Sequence, residues 1–338
     1  MQRRQSMFKK EALKLTQEWD KTFDKSDLVD HEKVTFVNHF GITLAADLYT
    51  PKNKEDKMKA LVVCGPFGAV KEQASGLYAQ TMAERGFVTM AFDPSFTGES
   101  GGNARDVYSL DINTEDFQAA IDFISQLNFV DKEKIGIIGI CGWGCIALNA
   151  AANDPRIKAT AAITMYDMPR VGAWGYFDEG SADARYETKK TIAALRTKEY
   201  LSDTLEKAGG CLEYPAPDDV PDFVKQYSAY YKTKRGYHPR SVNSNAGWVL
   251  QSTTGWMNNA ILTHPEDLRN AVLIVHGEKA HSRYMGEDTF KKLQGDNKEL
   301  LIVENATHTD LYDGGEHHYI PFDKINAFFN QYLVDEKK

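Results

Sequence analysis

Short apolar segments rich in β-branched residues alternate with longer segments of helical spacing along most of the chain. The apolar segments, which predict buried strands, are residues 61–64, 88–92, 135–140, 160–165, 272–276 and 300–303. Helical spacing is found at about 75–85, 114–127, 144–152 and 322–333. Strands that alternate with helices in this way predict an α/β fold with a mostly parallel, doubly wound sheet that is covered by helices on both faces.

The chain before the first buried strand predicts a sheet edge and an extension. Residues 34–36 and 44–49 alternate between apolar and polar side chains, which predicts an antiparallel hairpin at one edge of the sheet. Residues 8–23 place Trp19, Phe23 and other apolar side chains among charges at helical spacing. We therefore expect residues 1–30 to form an N-terminal helical extension.

Residues 168–262 break the alternation. This segment is rich in tyrosine, tryptophan and charged residues, is punctuated by prolines and contains no clear core strand. We interpret it as a helical cap that is inserted into a core formed by residues 31–167 and 263–338. Ligands of doubly wound sheets bind outside the carboxyl ends of the strands, so a cap leaving one of these ends would cover the binding pocket.

Composition and charge narrow the function. The 338 residues are 42% hydrophobic, which is enough for one large core, and the net charge of -8 with a pI near 5.7 argues against a nucleic-acid partner. Four cysteines in a chain of this length do not make a disulfide framework, so we expect a reducing compartment.

The start of the chain and its hydropathy bear on location. Residues 1–10 lack the apolar stretch of a signal peptide, which favours a cytoplasmic protein, although an export signal already removed would leave no trace. No window approaches the roughly 20 apolar residues of a membrane span, so we expect no membrane association. Whether the chain forms a homo-oligomer stays open.

The strongest chemical signal is a predicted strand that runs into a glycine-rich turn and then into an alanine-rich helix. The segment reads Ile135-Gly-Ile-Ile-Gly-Ile-Cys141-Gly-Trp-Gly144. This pattern predicts a nucleophile elbow, in which a strained turn exposes the nucleophile, here Cys141 in the place usually held by serine. The positive end of the following helix would favour its thiolate form.

His308 is the candidate base, because it follows a late strand and precedes the last helix, after the nucleophile in chain order. Neutral imidazole is a natural acceptor for a thiol proton. The acid that would orient it is less defined, because Ala280 stands where an aspartate is common. Glu278 is our first choice, and Asp167, at the end of the preceding core strand, is the alternative.

The oxyanion hole should consist of two backbone N–H groups. One is expected from Gly142, directly after the nucleophile, and the other from the loop that follows Cys64. Pro66 has no N–H group, and we choose Phe67 over Gly68 as the second donor. Residues 93–102 lack the ending of a phosphate-binding loop, and no histidine or cysteine spacing predicts a metal site. We expect neither a cofactor nor a metal.

The chain resembles the α/β-hydrolase superfamily, in particular its dienelactone-hydrolase-like branch and a bacterial and fungal group that includes polyketide-transferase-like proteins. The resemblance spans nearly the whole chain. The stretches that carry it are residues 41–49, 70–73, 93–102, 139–141, 166–168, 235–240, 280–284 and 307–312. It implies an α/β-hydrolase fold, a cysteine at the elbow, a histidine in the last loop and no cofactor, which places the two catalytic roles on Cys141 and His308.

These observations predict an enzyme that cleaves an ester, thioester or lactone bond of a small-molecule acyl substrate through an acyl-enzyme on Cys141. Because a thioester suits a cysteine nucleophile, acyl transfer of the polyketide-transferase type is an alternative to hydrolysis. A second alternative is a catalytically inert protein that binds a small molecule in the covered pocket, since function depends on the site and not on the fold.

Overall fold

The computed structural model describes residues 9–208 and 213–335, and its centre is an eight-stranded sheet. The strands in chain order are β1 Val29–Val37, β2 Thr43–Pro51, β3 Met58–Cys64, β4 Val88–Phe92, β5 Val130–Ile140, β6 Ile157–Ile163, a short pair β7 Lys207–Ala208 and β8 Trp248–Val249, β9 Ala271–Gly277 and β10 Lys298–Val303. The spatial order is β1-β2-β4-β3-β5-β6-β9-β10. The β1–β2 and β2–β4 pairs are antiparallel and the other pairs of this sheet are parallel, as predicted.

Helices cover both faces of this sheet. They are α1 Ala74–Ala83, α2 Leu110–Ile124, α3 Gly142–Asn153, α4 Met168–Trp174, α5 Ala182–Glu199, α6 Asp222–Tyr231, α7 Ser252–Trp256, α8 Arg283–Lys292, α9 Asp310–Asp313 and α10 Phe322–Tyr332, with short 3₁₀ turns at Tyr176–Asp178, Pro265–Asp267 and Gly315–His317. Along β3, Val62 packs into the cluster under α2 and α3, whereas Leu61 and Val63 pack into the cluster under α1 and α10. Burial on both faces explains the unbroken apolar strands that the sequence shows.

The predicted N-terminal helix is not formed over the described part of residues 8–23. Residues 9–28 run as an irregular segment along the core. The Thr22 N–H group donates to the Glu72 carbonyl at 2.9 Å, and the Thr16 N–H group donates to the Glu99 carboxylate at 2.6 Å. The helical prediction was wrong because the backbone N–H groups of this segment bond to distant acceptors in the core, which the local pattern does not reveal.

Residues 168–262, which we call the insertion, leave the sheet after β6 and return to it at β9. They contain α4 to α7 and the antiparallel β7–β8 pair. Within the described residues, no helix is long and apolar enough to cross a membrane.

Candidate active site

Cys141 occupies a sharp turn between β5 and α3. Its backbone has φ 56° and ψ −124°, a conformation that L-residues rarely adopt. A Cβ atom at Gly139 would lie 2.1 Å from the Trp143 carbonyl oxygen, and one at Gly144 would lie 2.8 Å from the Met165 Cβ. Glycine is therefore required at both positions by the close approach of strand, turn and helix around Cys141.

Cys141 is 6% exposed, and its thiol is surrounded by hydrogen-bonding groups. They are the Tyr312 and Tyr227 hydroxyls and the N–H groups of Gly142 and Phe67. Burial raises the pKa of Cys141, and the hydrogen bonds that these four groups can offer to the thiolate offset the effect only in part. The expected shift towards thiolate is therefore wrong for the resting protein, because desolvation outweighs the hydrogen bonds that favour the thiolate.

Gly142 and Phe67 are the two residues from which the sequence predicts oxyanion donors. The loop that carries Phe67 is held by the insertion. Asn243 donates through its side-chain amide to the Phe67 carbonyl at 2.7 Å and through its backbone N–H to the Gly68 carbonyl at 3.0 Å, and Ser241 donates its hydroxyl to the same Gly68 carbonyl at 2.8 Å. These bonds hold the Phe67 and Gly68 carbonyl groups and so restrain the loop whose Phe67 N–H is directed at the thiol.

His308 is fully buried behind a tyrosine. Its Nε2 lies 3.0 Å from the Tyr312 hydroxyl, which in turn contacts the Cys141 thiol. Its Nδ1 lies 2.7 Å from Ser282 Oγ and 3.0 Å from Thr164 Oγ1. Burial lowers the pKa of His308 well below its ordinary value, and the nearby imidazoles of His281 and His276 lower it further. The ring is therefore neutral at pH 7.

Neither predicted acid contacts His308. Glu278 is exposed, and its carboxylate accepts a hydrogen bond from the Asn305 N–H at 2.9 Å. Asp167 caps α4 by accepting from the Arg170 N–H at 3.0 Å, and burial raises its pKa. The structure thus corrects both assignments: two hydroxyls face Nδ1 where the sequence predicts a carboxylate, because the turn after β9 directs Glu278 outward.

Sequence reasoning missed three residues of this arrangement, namely Tyr312, Ser282 and Thr164. Tyr312 follows His308 by four residues, and α9 begins between them, so that helical spacing brings the two side chains to the same side. This spacing was the available signal. Ser282 and Thr164 carried none, because they reach His308 from the chain segments after β9 and β6, respectively.

A cavity of 430 Å³ opens over the Cys141 thiol. Aromatic side chains make up half of its lining, which consists of Phe67, Cys141, Tyr166, Met168, Val171, Gly172, Tyr176, Thr188, Phe223, Tyr227, Tyr231, Asn243, Trp248, Leu250, Thr253, Trp256, Met257 and Tyr312. The volume falls within the roughly 300–1,000 Å³ that is usual for small-molecule sites. His308 is not among these residues, so that Tyr312 separates it from the cavity.

A second buried cluster could hold a cation by geometry. Carboxylate oxygens of Glu72, Asp93 and Glu99 lie within 4.8 Å of one another. The Lys71 ammonium group lies 2.7, 2.8 and 2.7 Å from the Glu72, Asp93 and Glu99 carboxylates, respectively. The place that a metal ion would take is therefore filled by an amine of the chain itself.

Fold and site together define an α/β hydrolase: a doubly wound sheet, an elbow after β5 and a histidine after β10. A family model then places the chain more narrowly. It belongs to the X-Pro dipeptidyl-peptidase (S15) family, whose model matches residues 41–310.

Some known proteins are similar to nearly the whole of this chain, and others are similar to a shorter part of it. "Uncharacterized protein PA2218" of Pseudomonas aeruginosa is 53% identical over 323 residues, which cover 95% of this chain and 86% of that protein. Its crystal structure has a TM-score of 0.91 at 52% identity and covers 96% of this chain and 100% of that one. The α/β hydrolase GrgF from a Penicillium species, with a TM-score of 0.74 at 18% identity over 90% of this chain and 99% of its own, shows the shared fold.

Two fungal enzymes match a shorter part of the chain. Polyketide transferase claH of Penicillium crustosum is 30% identical over 135 residues, which cover 40% of this chain and 44% of that protein. Thiohydrolase aneE of Aspergillus aculeatus is 31% identical over 133 residues, which cover 39% and 41%, respectively. The predicted likeness to polyketide-transferase-like proteins is thus found over part of the chain.

Proposed function

We propose that the protein is a cysteine-dependent hydrolase that cleaves an ester, thioester or lactone bond through an acyl-enzyme on Cys141. The observation that carries this proposal is the position of the thiol. It lies on the strained elbow, at the wall of a 430 Å³ cavity, with the N–H groups of Gly142 and Phe67 directed at it. A carbonyl carbon that approaches the sulfur from the cavity would bring its oxygen towards those two donors.

The proton of the thiol has a route to His308 through Tyr312. We assign the proton of the neutral ring to Nδ1, which lies within hydrogen-bond distance of Ser282 and Thr164, so that Nε2 accepts from the Tyr312 hydroxyl. The Tyr312 oxygen can then accept from the thiol. As the sulfur attacks, its proton passes to Tyr312 while the Tyr312 proton passes to Nε2, which leaves an imidazolium and a sulfur bonded to the substrate.

The remaining steps use the same groups, and the proton first returns along the same route. The tetrahedral oxyanion is held by the Gly142 and Phe67 N–H groups, and the leaving alcohol or thiol takes a proton that returns from His308 through Tyr312. Water then attacks the acyl-enzyme, its proton moves towards His308, and the acid is released as the thiol is restored. Ser282 and Thr164 would accept from the Nδ1–H of the imidazolium, without the charge that a carboxylate would supply.

Transfer of the acyl group to an alcohol is the second candidate. The apolar lining of the cavity favours it, because such a lining admits an organic acceptor more readily than water. The names polyketide transferase and thiohydrolase, carried by two similar fungal enzymes, correspond to these two fates of an acyl thioester. Product analysis with and without added alcohol separates them, since transfer yields the new ester and hydrolysis yields the free acid.

The decisive measurement is the intact mass of the protein after brief exposure to p-nitrophenyl esters and acyl thioesters at neutral pH. We expect an acyl adduct on the wild type and none on Cys141→Ala. Cys145→Ala is the matched control, because Cys145 is also buried and lies in the first turn of α3, the helix directly after Cys141, but does not line the cavity. It should retain the adduct.

Tyr312→Phe tests the proton route. General acid–base steps contribute typically about 10²–10⁴-fold, so we expect kcat to fall on the order of 100-fold while KM changes little. Unchanged kcat would show that the thiol reaches His308 without Tyr312. A folded wild type that forms no adduct with any acyl donor would favour an inert small-molecule-binding protein instead.

A further inference from the structure

The cavity over Cys141 has no charged side chain in its lining, as far as the described residues show. Its polar members are one amide, two threonines, the tyrosine hydroxyls, two tryptophan N–H groups and the thiol. Several of the hydroxyls already have partners: Tyr166 donates to Tyr176 at 2.7 Å, and Tyr312 bonds to His308. The wall therefore offers a substrate few free hydrogen-bonding groups and no counter-ion.

Charged groups near the lining are bound elsewhere. Arg170 lies in α4 between the lining residues Met168 and Val171, but its guanidinium group donates to Asp178 at 2.9 Å and to Asp288 at 3.1 Å. Asp167, next to Met168, caps the same helix. Neither of these side chains lines the cavity.

The imidazole behind the aromatic wall is also uncharged. The ring of His281 lies 5.6 Å from that of Tyr227 and 5.7 Å from that of Tyr176, measured between ring centroids. Burial lowers the pKa of His281 to about 4, so the ring is neutral at pH 7. It cannot act as a cationic partner for a substrate carboxylate.

We propose that the acyl group accepted by this site is uncharged and mainly aromatic or aliphatic, and that acyl groups with a carboxylate or an ammonium group are rejected. This inference rests on the proposed function and names its substrate class. The physical reason is the cost of desolvation: a charge that enters the cavity loses water and finds no opposite charge. An X-Pro dipeptide with a free amino terminus falls in the rejected class, despite the name of the family.

Three esters of one acyl length test the proposal. They are p-nitrophenyl hexanoate, mono-p-nitrophenyl adipate, which ends in a carboxylate, and p-nitrophenyl 6-aminohexanoate, which ends in an ammonium group. We expect kcat/KM for the two charged esters to be at least about 100-fold below that for the hexanoate at pH 7. p-Nitrophenyl 3-phenylpropanoate should be accepted, and alanylproline p-nitroanilide should not.

A charge added at the mouth of the cavity should change this preference. Thr188 lies on α5, is exposed and lines the cavity, whereas Thr191 is exposed on the same helix but does not line it. Each threonine hydroxyl donates to the carbonyl four residues earlier, at 3.0 Å and 3.1 Å, respectively, so the two sites are matched. Thr188→Arg should raise kcat/KM for the adipate ester relative to the hexanoate by about fivefold, and Thr191→Arg should not.

The outcomes separate this inference from the proposed function. Equal kcat/KM values for the neutral and charged esters would overturn the substrate class and leave covalent catalysis intact. If no ester acylates Cys141, the function fails, and the inference is then tested by thermal shift of Cys141→Ala with the same esters as ligands. Stabilisation by the hexanoate and 3-phenylpropanoate esters alone supports the inference, and equal stabilisation by the adipate ester refutes it.

Discussion

Lys71 is a buried cation whose removal should leave three carboxylates without their shared partner. Its ammonium group bonds to Glu72, Asp93 and Glu99 at 2.7–2.8 Å, and its side chain is 0% exposed. Lys71→Met keeps the length of the side chain and removes the charge. Burial raises the pKa of Glu99, but attraction to Lys71 and hydrogen bonds from lysines outweigh it and hold that pKa at about 2, so this carboxylate is charged at pH 7.

The expected loss follows from these contacts. Breaking a buried ion pair by removing one partner costs about 3–5 kcal/mol, because the other charge is left buried without compensation. Here that charge is on Asp93, which loses the ammonium group 2.8 Å away, whereas Glu72 and Glu99 keep Lys33 at 3.1 and 2.6 Å. With an unfolding entropy of about 2.1 cal/mol/K per residue, this range lowers the Tm of a 338-residue chain by about 4–7 °C. Asp93 also accepts from the Lys71 backbone N–H at 2.8 Å, so a shift of this carboxylate in the variant should loosen the loop that carries Phe67, and kcat should fall as well.

Calorimetry of the wild type and the variant at several pH values measures the effect. In Lys71→Met, the three carboxylates lose the cation that they share, so their pKa values in the folded state rise above those in the wild type, although Lys33 still contacts Glu72 and Glu99. The deficit in the free energy of unfolding should therefore be smaller at pH 5 than at pH 8. Lys225→Met is the control, because Lys225 lies 3.7 Å from an Asp222 that is 91% exposed, and such surface pairs contribute less than about 1 kcal/mol.

A Tm of Lys71→Met equal to that of the wild type would refute the reasoning. It would mean that water or proton uptake compensates the three carboxylates fully. A deficit that grows from pH 8 to pH 5 would contradict the electrostatic explanation specifically, because loss of packing alone does not depend on the ionisation of these groups.

Three further predictions concern the site. Asn243→Ala should lower kcat on the order of tenfold with little change in KM, since the Phe67 carbonyl loses its 2.7 Å hydrogen bond and the loop that carries the Phe67 N–H is less restrained. A change confined to KM would contradict this. Burial lowers the pKa of His276 to about 3 and also lowers those of His281 and His308, so unfolding takes up protons below about pH 6.5. The free energy of unfolding measured with urea should therefore fall as the pH is lowered towards 5, by up to about 1.4 kcal/mol per histidine for each pH unit. A free energy of unfolding that does not change with pH would exclude this linkage. Glu278→Gln should keep kcat within about twofold, as expected of an exposed residue that does not contact His308, and inactivity would restore Glu278 as its acidic partner.

The sequence by itself determined the α/β architecture and the elbow. Both are encoded locally: apolar runs of strand length alternate with helical spacing, and Gly139, Cys141 and Gly144 lie within six residues at the junction of β5 and α3. Cys141 lies in this turn, and the Gly142 and Phe67 N–H groups lie close to its thiol; the catalytic roles that the sequence suggests for these residues stay a prediction. A short segment can specify such a turn because the close contacts arise within the segment or from the strand beside it.

The partners of His308 were decided only by the tertiary structure. Ser282 follows β9, Thr164 follows β6, and both reach Nδ1 of a histidine that follows β10. The N-terminal segment is similar, because its backbone bonds to Glu72 and Glu99 in the core in place of forming a helix. Residues so far apart in sequence meet only when the sheet order and the loop paths are set, and the choice between a carboxylate and a hydroxyl at His308 depends on the direction of one turn after β9.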